Sequence, residues 1–323
     1  MHMSDLHEHF CTMRTFKMLS TIFLISALPL VSASDRKSCP FPTPSSILPC
    51  ECHFDEKFRI FLTCNLTQDM DDVIMTKLAR GFGCKKEFFK FFVDLNGNDW
   101  TARFDEDTLG VFQMNHFHLV NFGNFVGNIK ANSFNGSRNS IEEIIIDSSE
   151  KELLDDSEGS GEIPLGWWRP PTDDLKNLAA TREIEKNAFY QLNALKKISL
   201  GNSFSVLQSH AFSQLKVLET IEFDPATVTK IASYGFNELK SLRVLDLGNQ
   251  SITTIEKEAF KLLPNLTELK LNDNYLRQIL DDTILPDNGV DSSLVTLDLS
   301  HNSELCRIGN MLRYQNIKDN ALE

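Results

Sequence analysis

One apolar sequence pattern recurs about every 24 residues in the C-terminal half of the chain. The clearest copy runs from Leu266 to Leu276 and reads Leu-x-x-Leu-x-Leu-x-x-Asn-x-Leu. Further copies begin at Leu195, Leu218, Leu242 and Leu294. An ordinary amphipathic helix repeats its apolar residues about every 3.6 positions, so this longer fixed period argues against a helical protein. The pattern predicts stacked coils that share one continuous core.

Each copy predicts a short strand followed by a turn. The Leu-x-Leu centre alternates with period two, so one set of side chains points inward and the other points to solvent. Neighbouring strands then form a parallel sheet. Asn274 and Asn302 follow two of these strands, where a buried amide can donate to and accept from adjacent backbone groups. In the second half of each copy, we expect Phe212, Phe236 and Phe260 to stack as a second internal column.

The copies resemble leucine-rich repeats, in which a concave parallel sheet is backed by short turns or helical pieces. Weaker copies toward the N-terminus place strands at Val93 to Leu95, Phe117 to Leu119 and Ile141 to Ile146, giving roughly eight units. The resemblance implies an α/β fold class, a leucine-rich-repeat solenoid over residues 86–305.

The N-terminal segment has the layout of a secretory signal peptide. An apolar stretch from Leu19 to Val31 follows Arg14 and Lys17, and Val31-Ser32-Ala33 offers small residues for cleavage. The stretch is shorter than the roughly 20 residues that a membrane span needs. We therefore expect residues 1–33 to be removed and the protein to be secreted without a membrane anchor.

Four cysteines, from Cys39 to Cys64, cluster ahead of the repeats in the segment of residues 34–85 that we assign to an N-terminal cap. Their position resembles the disulfide-bonded N-terminal cap of extracellular leucine-rich-repeat proteins, which covers the open apolar end of a solenoid. The resemblance implies pairing of Cys39 with Cys52 and of Cys50 with Cys64. A metal site at Cys50-x-Cys52 is the alternative, but a matching second ligand pair is missing.

Two further cysteines remain unassigned. If Cys84 and Cys306 flank all the predicted strands, roughly 30 Å separates them, which is beyond the reach of a disulfide. Cys306 begins a C-terminal tail at residues 306–323. It is either the remnant of a C-terminal cap or forms a disulfide with another chain.

The spacing from Ile146 to Ile184 is much longer than in the other units, which predicts an insertion at about residues 147–178. Its first half is acidic and reads as a solvated linker. Trp167 and Trp168 follow, and they either pack on the solenoid or form a contact for a partner. Ser160 lies in Glu-Gly-Ser-Gly-Glu, which resembles a glycosaminoglycan attachment sequence.

We predict that solvent-facing strand positions bind a partner. The residues assigned to this role are Glu222, Asp224, Asp246, Lys270 and Asp298, together with Trp167 and Trp168 of the insertion. A formal net charge of −13 argues against nucleic acid and anionic membranes as partners. Predicted N-glycosylation sequons begin at Asn65, Asn135, Asn249 and Asn265.

The sequence offers no catalytic motif of a known type, so we expect a binding protein without a cofactor rather than an enzyme. His116-x-His118 would place two imidazoles on one side of a strand, as in a zinc site. Because the sequence spacing supplies no third ligand, we expect an exposed strand edge and no metal there.

The cap followed by the phenylalanine-rich unit from Phe88 to Val93 resembles arthropod proteins similar to the non-catalytic subunit of Oplophorus-luciferin 2-monooxygenase. That resemblance covers residues 39–305 and implies an accessory chain beside a separate catalytic subunit. The expected partner is thus a protein, either a catalytic subunit or a matrix component. A small leucine-rich matrix proteoglycan and an innate recognition protein are the alternatives.

Overall fold

The computed structural model describes residues 37–38, 44–83, 87–123, 127–147, 182–201, 204–225, 228–279, 293–305 and 307–308. The strands are β1 Lys37–Ser38, β2 Cys50–Phe54, β3 Ile60–Asn65, β4 Glu87–Asp94, β5 Gln113–Val120, β6 Glu143–Asp147, β7 Glu183–Ile184, β8 Lys197–Leu200, β9 Val206–Leu207, β10 Phe212–Ser213, β11 Thr220–Phe223, β12 Lys230–Ile231, β13 Phe236–Asn237, β14 Val244–Asp246, β15 Thr254–Ile255, β16 Glu268–Lys270, β17 Gln278–Ile279, β18 Thr296–Asp298 and β19 Arg307–Ile308. The helices are α1 Pro44–Ile47, α2 Asp72–Phe82 and a 3-10 turn at Asn135–Ser137.

The strands predicted from the repeat pattern form the main sheet of a solenoid together with β1, β2 and β3 of the cap segment. In order across the sheet they are β1, β2, β3, β4, β5, β6, β8 and β11, and a parallel set of β14, β16 and β18 follows. Leu245, Leu269 and Leu297 occupy matching register positions and are buried, as the pattern requires. The leucine-rich-repeat fold is therefore confirmed.

The other side of the core carries the predicted turns, for example at residues 186–191 and 257–262, together with strands that were not predicted. It carries a second parallel sheet in the order β15, β12, β9 and β7, with the shorter pairs β10–β13 and β17–β19. Ile231 lies in register with Leu207 and with Ile255. Successive coils place these residues at equivalent positions. Their backbone groups therefore form hydrogen bonds with the neighbouring coil and not within a helix.

The predicted phenylalanine column is confirmed and longer than expected. Phe134, Phe189, Phe212, Phe236 and Phe260 are all buried and follow one another from coil to coil. Their ring centroids are 5.2 to 6.0 Å apart and the planes lie within 21° of parallel. This column fills the core between the two sheets.

The asparagines that end the strands bond to the backbone of adjacent coils as predicted. The Oδ1 atom of Asn274 accepts from the amide of Ile252 at 2.9 Å, and its Nδ2 atom donates to the carbonyl of Leu247 at 2.8 Å. Asn302 repeats the arrangement one coil later. Gln250 takes the equivalent position and accepts from the amide of Val228 at 3.1 Å. Each amide therefore links neighbouring coils inside the core.

The N-terminal cap is joined to the sheet. Strands β2 and β3 are antiparallel and are linked by the Cys50–Cys64 disulfide, which confirms that pairing. Strand β3 runs parallel to β4, so the sheet already begins inside the segment assigned to the cap. Cys52 is also disulfide-bonded, but its predicted partner Cys39 lies outside the described residues.

The insertion leaves the solenoid between two neighbouring strands. Ile144 of β6 lies directly in register with Ile198 of β8, although the inserted residues separate them along the chain. Asp147 is the buried last residue of β6, so the strand continues one residue into the range assigned to the insertion. Ser160, Trp167, Trp168, Cys84 and Cys306 lie outside the described residues.

Candidate functional site

The outward side chains of the main sheet form one continuous surface, which we name the concave face. Strand register aligns these side chains into rows that cross the sheet. One row contains Phe61, Lys90, His116, Glu143 and Lys197, and the next contains Thr63, Phe92, His118, Ile145 and Ser199. The first strands thus carry aromatic rings and imidazoles, whereas the later strands carry mostly charged residues.

Three aromatic and two cationic side chains lie together at the first strands. This group, the aromatic patch, consists of Arg59, Phe61, Phe89, Lys90 and Phe92. The guanidinium carbon of Arg59 lies 4.1 Å from the ring centroid of Phe89, and Lys90 Nζ lies 5.4 Å from that of Phe92. These side chains are half-buried, and the stacked cations fix the orientation of the rings.

Burial affects the charge of the patch. The pKa of Lys90 is lowered chiefly because burial disfavours its charged form, while the negative charge of Glu143 acts in the opposite direction. Lys90 also lies beside His116 in the strand register. The aromatic patch therefore adjoins an ionisable cluster on the next two strands.

His116, His118 and Glu143 form that cluster, which we name the imidazole cluster. One oxygen of Glu143, Oε2, lies 3.3 Å from His116 Nδ1 and 2.7 Å from His118 Nε2. The bonds from both imidazoles hold the pKa of Glu143 well below its usual range. Burial lowers the pKa of His118, partly offset by its bond to Glu143.

The expectation of an exposed strand edge at His116 and His118 was wrong. Strand β5 lies inside the sheet, between β4 and β6, and His118 is buried. The third donor that the sequence spacing lacked comes from Glu143 on the neighbouring strand. The sequence carried a signal for the pairing of His116 with Glu143. Each residue directly precedes an apolar strand residue, and these two apolar residues, Phe117 and Ile144, are aligned in the sheet.

The later strands carry the residues predicted to contact a partner, but most of these charges are paired. Lys197 Nζ lies 3.2 Å from a carboxylate oxygen of Glu222. Lys270 Nζ lies 3.1 Å from Asp246 and shares a register row with Asp246 and Asp298. The alternating charges of this row weaken the acidic bias that the sequence suggested.

Two of the predicted contact residues take part in turns that leave the sheet. The Oδ1 atom of Asp298 accepts from the amide of Ser300 at 3.0 Å and from its hydroxyl at 2.6 Å. Asp224 follows β11, and its carbonyl accepts from Gln250 Nε2 at 3.0 Å. The Asp298 side chain therefore stabilises its turn, whereas the bond at Asp224 is made by the backbone and assigns no role to the carboxylate.

The predicted glycosylation sequons lie on turns and strand ends. Asn65, Asn249 and Asn265 are exposed, and Asn135 is half-buried. The amide of Asn265 donates to the carbonyl of Lys240, and that of Asn135 donates to Glu106. Glycosylation at the four sequons stays a prediction.

Among the described residues, the helices lack either the length or the apolar character needed to cross a bilayer.

The comparison with protein families agrees with this fold. Residues 180–285 match, in six copies, the family described as the BspA type leucine rich repeat region. No curated protein gave a significant sequence match. A chain of the TLR13–ssRNA13 complex is similar at 17% identity and a TM-score of 0.38, over 73% of this chain and 30% of that one. A chain of the Drosophila Toll–Spatzle complex is similar at 15% identity and a TM-score of 0.25, over 92% of this chain and 53% of that one.

This chain spans between 30% and 53% of the length of those two solved chains. The matched repeats contain strands β7 to β17 and the phenylalanine column from Phe189 to Phe260. The chain thus has a leucine-rich-repeat fold, and its repeats in residues 180–285 match the BspA type leucine rich repeat region.

Proposed function

We propose that the chain is a secreted, non-enzymatic scaffold that binds a protein partner through its concave face. The observation that carries this proposal is the aromatic patch, where Phe61, Phe89 and Phe92 remain half-exposed beside Arg59. Large rings at the solvent boundary of a rigid sheet gain much from burial against a partner and have little conformational freedom to lose.

The chemistry of the patch favours a protein. Aromatic residues and arginine are enriched at the centres of protein interfaces, where a few of them supply most of the binding energy. A polyanion is a poorer partner because the whole chain has a net charge of −13. For the same reason we propose neither nucleic acid nor an anionic membrane as the ligand.

Secretion is supported by the cysteine chemistry together with the predicted signal peptide. The Cys50–Cys64 disulfide is of a kind that persists in oxidising compartments. A non-enzymatic role is supported by the sequence, which offers no catalytic motif of a known type.

Within this proposal, the resemblance to the non-catalytic luciferin-monooxygenase subunit favours an accessory chain that accompanies a catalytic subunit. A matrix component and an innate recognition protein would use the same face. The proteoglycan alternative depends on Ser160, outside the described residues.

Site-specific photocrosslinking on the natively secreted chain tests the proposal. A photoreactive phenylalanine analogue replaces Phe92 on the concave face or, as the matched control, exposed Thr254 of the second sheet. We expect one protein to crosslink at Phe92 and not at Thr254.

The double variant R59A/F89A should reduce that crosslink, whereas R277A, which removes an exposed arginine far along the solenoid, should not. Crosslinks confined to Thr254 would contradict a concave binding face.

A further inference from the structure

The imidazole cluster brings three metal-ligating side chains together from two adjacent strands. His116 Nδ1, His118 Nε2 and a carboxylate oxygen of Glu143 all lie within 4.8 Å of one another. Strand register fixes this juxtaposition, because His116 lies directly opposite Glu143 and His118 lies two residues further along the same strand. The two histidines thus face the same side of the sheet as the carboxylate.

We propose that His116, His118 and Glu143 form a binding site for a zinc ion on the concave face. Two imidazole nitrogens and one carboxylate oxygen are a donor set that zinc uses in proteins, with a fourth position left to water or another ligand. Harder cations such as magnesium prefer oxygen donors and are a poorer match.

Two of the three distances between donor atoms are close to those of a zinc site. Bonds of about 2.0–2.2 Å in a tetrahedron place neighbouring ligand atoms about 3.4 Å apart. His116 Nδ1 already lies 3.3 Å from Glu143 Oε2, and His118 Nε2 lies at 2.7 Å. Binding therefore requires the His118 contact to lengthen by a fraction of an ångström, which side-chain rotation provides without a change in strand register.

Packing already orients two of the donors. The ring of His116 lies against Phe89, with centroids 4.9 Å apart, and His118 is buried in the sheet. Donors that are held in place before binding lose little freedom when the ion arrives. In the absence of metal, the two imidazoles bond to the carboxylate, and zinc would replace these bonds by coordination.

Charges near the cluster come from both flanking strands. Lys90 of β4 lies beside His116, so its positive charge opposes a bound cation. Lys197 of β8 lies beside Glu143, and its ammonium group is paired with Glu222. The carboxylate of Glu143 supplies one negative charge within contact of both imidazoles.

A fourth ligand would reach the ion from the concave face, which also carries the aromatic patch. A carboxylate or imidazole of a bound partner would complete the coordination there. Zinc binding itself does not depend on the proposed function, because it is measured on the isolated chain without any partner.

Competition titration against a chromophoric zinc chelator tests the site in the full secreted chain, produced without a polyhistidine tag. We expect one zinc ion per chain to bind with high affinity. H118A and E143Q should each weaken binding by at least about tenfold, since even outer-shell changes cost that much. The control H301N alters an exposed histidine paired with Asp273 and should leave zinc affinity unchanged. Circular dichroism compares the folding of each variant with that of the unaltered chain.

A second measurement uses the unaltered chain, so its result does not depend on how the variants fold. In the nuclear magnetic resonance spectrum of the histidine-labelled protein, zinc should shift the ring signals of His116 and His118, and Co²⁺ should give the visible absorption bands of a tetrahedral site. Absence of stoichiometric binding, or zinc shifts at other histidines with His116 and His118 unchanged, would overturn the proposal. Equal zinc affinity in correctly folded H118A and E143Q would overturn it as well.

Discussion

The rings of Phe212 and Phe236 lie 5.2 Å apart and within 5° of parallel, one coil apart along the solenoid. Both rings are fully buried, and Phe260 continues the stack at 5.8 Å. The apolar column therefore couples each coil to the next, because no single coil can bury its own phenylalanine.

Replacing a ring within the column should destabilise the whole array. We expect F236A to lower the free energy of unfolding by about 3–5 kcal/mol, because it removes buried apolar area and leaves a cavity. Urea denaturation followed by circular dichroism measures the change. The control F58A alters a ring that is 84% exposed and should change stability by less than about 0.5 kcal/mol. Equal effects of the two variants would be inconsistent with a stacked core.

The buried amide of Asn274 should matter more than its size suggests. It bonds to the backbone of Ile252, Leu247 and Leu271, and each backbone group left without a partner costs about 1–3 kcal/mol. We expect N274A to lower the free energy of unfolding by about 2 kcal/mol or more. N272A removes a neighbouring amide that bonds to exposed Asp273 and should have a small effect in the same urea assay. A neutral N274A would show that the amide does not link the coils.

Stability at the second sheet should depend on pH through Glu256. Its pKa is lowered by the bond from Lys230, at 2.8 Å, and by the amide of Ser233. A lowered carboxylate pKa stabilises the fold above the unfolded-state pKa of about 4.3, and this contribution is lost as the pH falls through the folded-state value.

E256Q should therefore have a lower melting temperature than the unaltered chain at pH 7, and the gap should narrow toward pH 3. Differential scanning calorimetry at the two pH values measures this gap. A gap that stays constant or widens on acidification would show that the charge of Glu256 contributes nothing.

The row of Asp246, Lys270 and Asp298 predicts a salt-dependent effect of charge reversal. K270E would place three acids side by side, and like charges in register repel one another. Because these side chains are partly exposed, the loss should be less than about 1 kcal/mol. Thermal unfolding at low and high salt measures it, and K270M serves as the neutral control. A loss for K270E that is as large in about 1 M salt would point to a cause other than charge repulsion.

The fold was largely predictable because its signal is local and repeated. Apolar alternation identified strands such as β16, and the spacing of Phe212 and Phe236 predicted their stacking. The second sheet was missed, because its strands are two residues long and exist only through pairing between coils. A strand of two residues is too short to show an alternation of apolar and polar residues along the sequence.

The candidate site was only partly predictable. The sequence placed Lys270 and Asp246 on the concave face, but charge alone did not show that they pair with each other. The joining of His116 with Glu143 depends on the register between two strands from weak repeats. Arg59 lies over Phe89 because the β2–β3 hairpin lies beside β4. The sequence assigned the hairpin to the cap and β4 to the repeats, so this contact was not predicted.

The most direct test of the central claim is hydroxyl-radical footprinting of the chain alone and in complex with the crosslinked partner. If the concave face is the recognition surface, oxidation of Phe89 and Phe92 should fall on complex formation, while oxidation of exposed Leu262 should stay the same. Protection of Leu262 with unchanged oxidation of Phe89 and Phe92 would contradict the account.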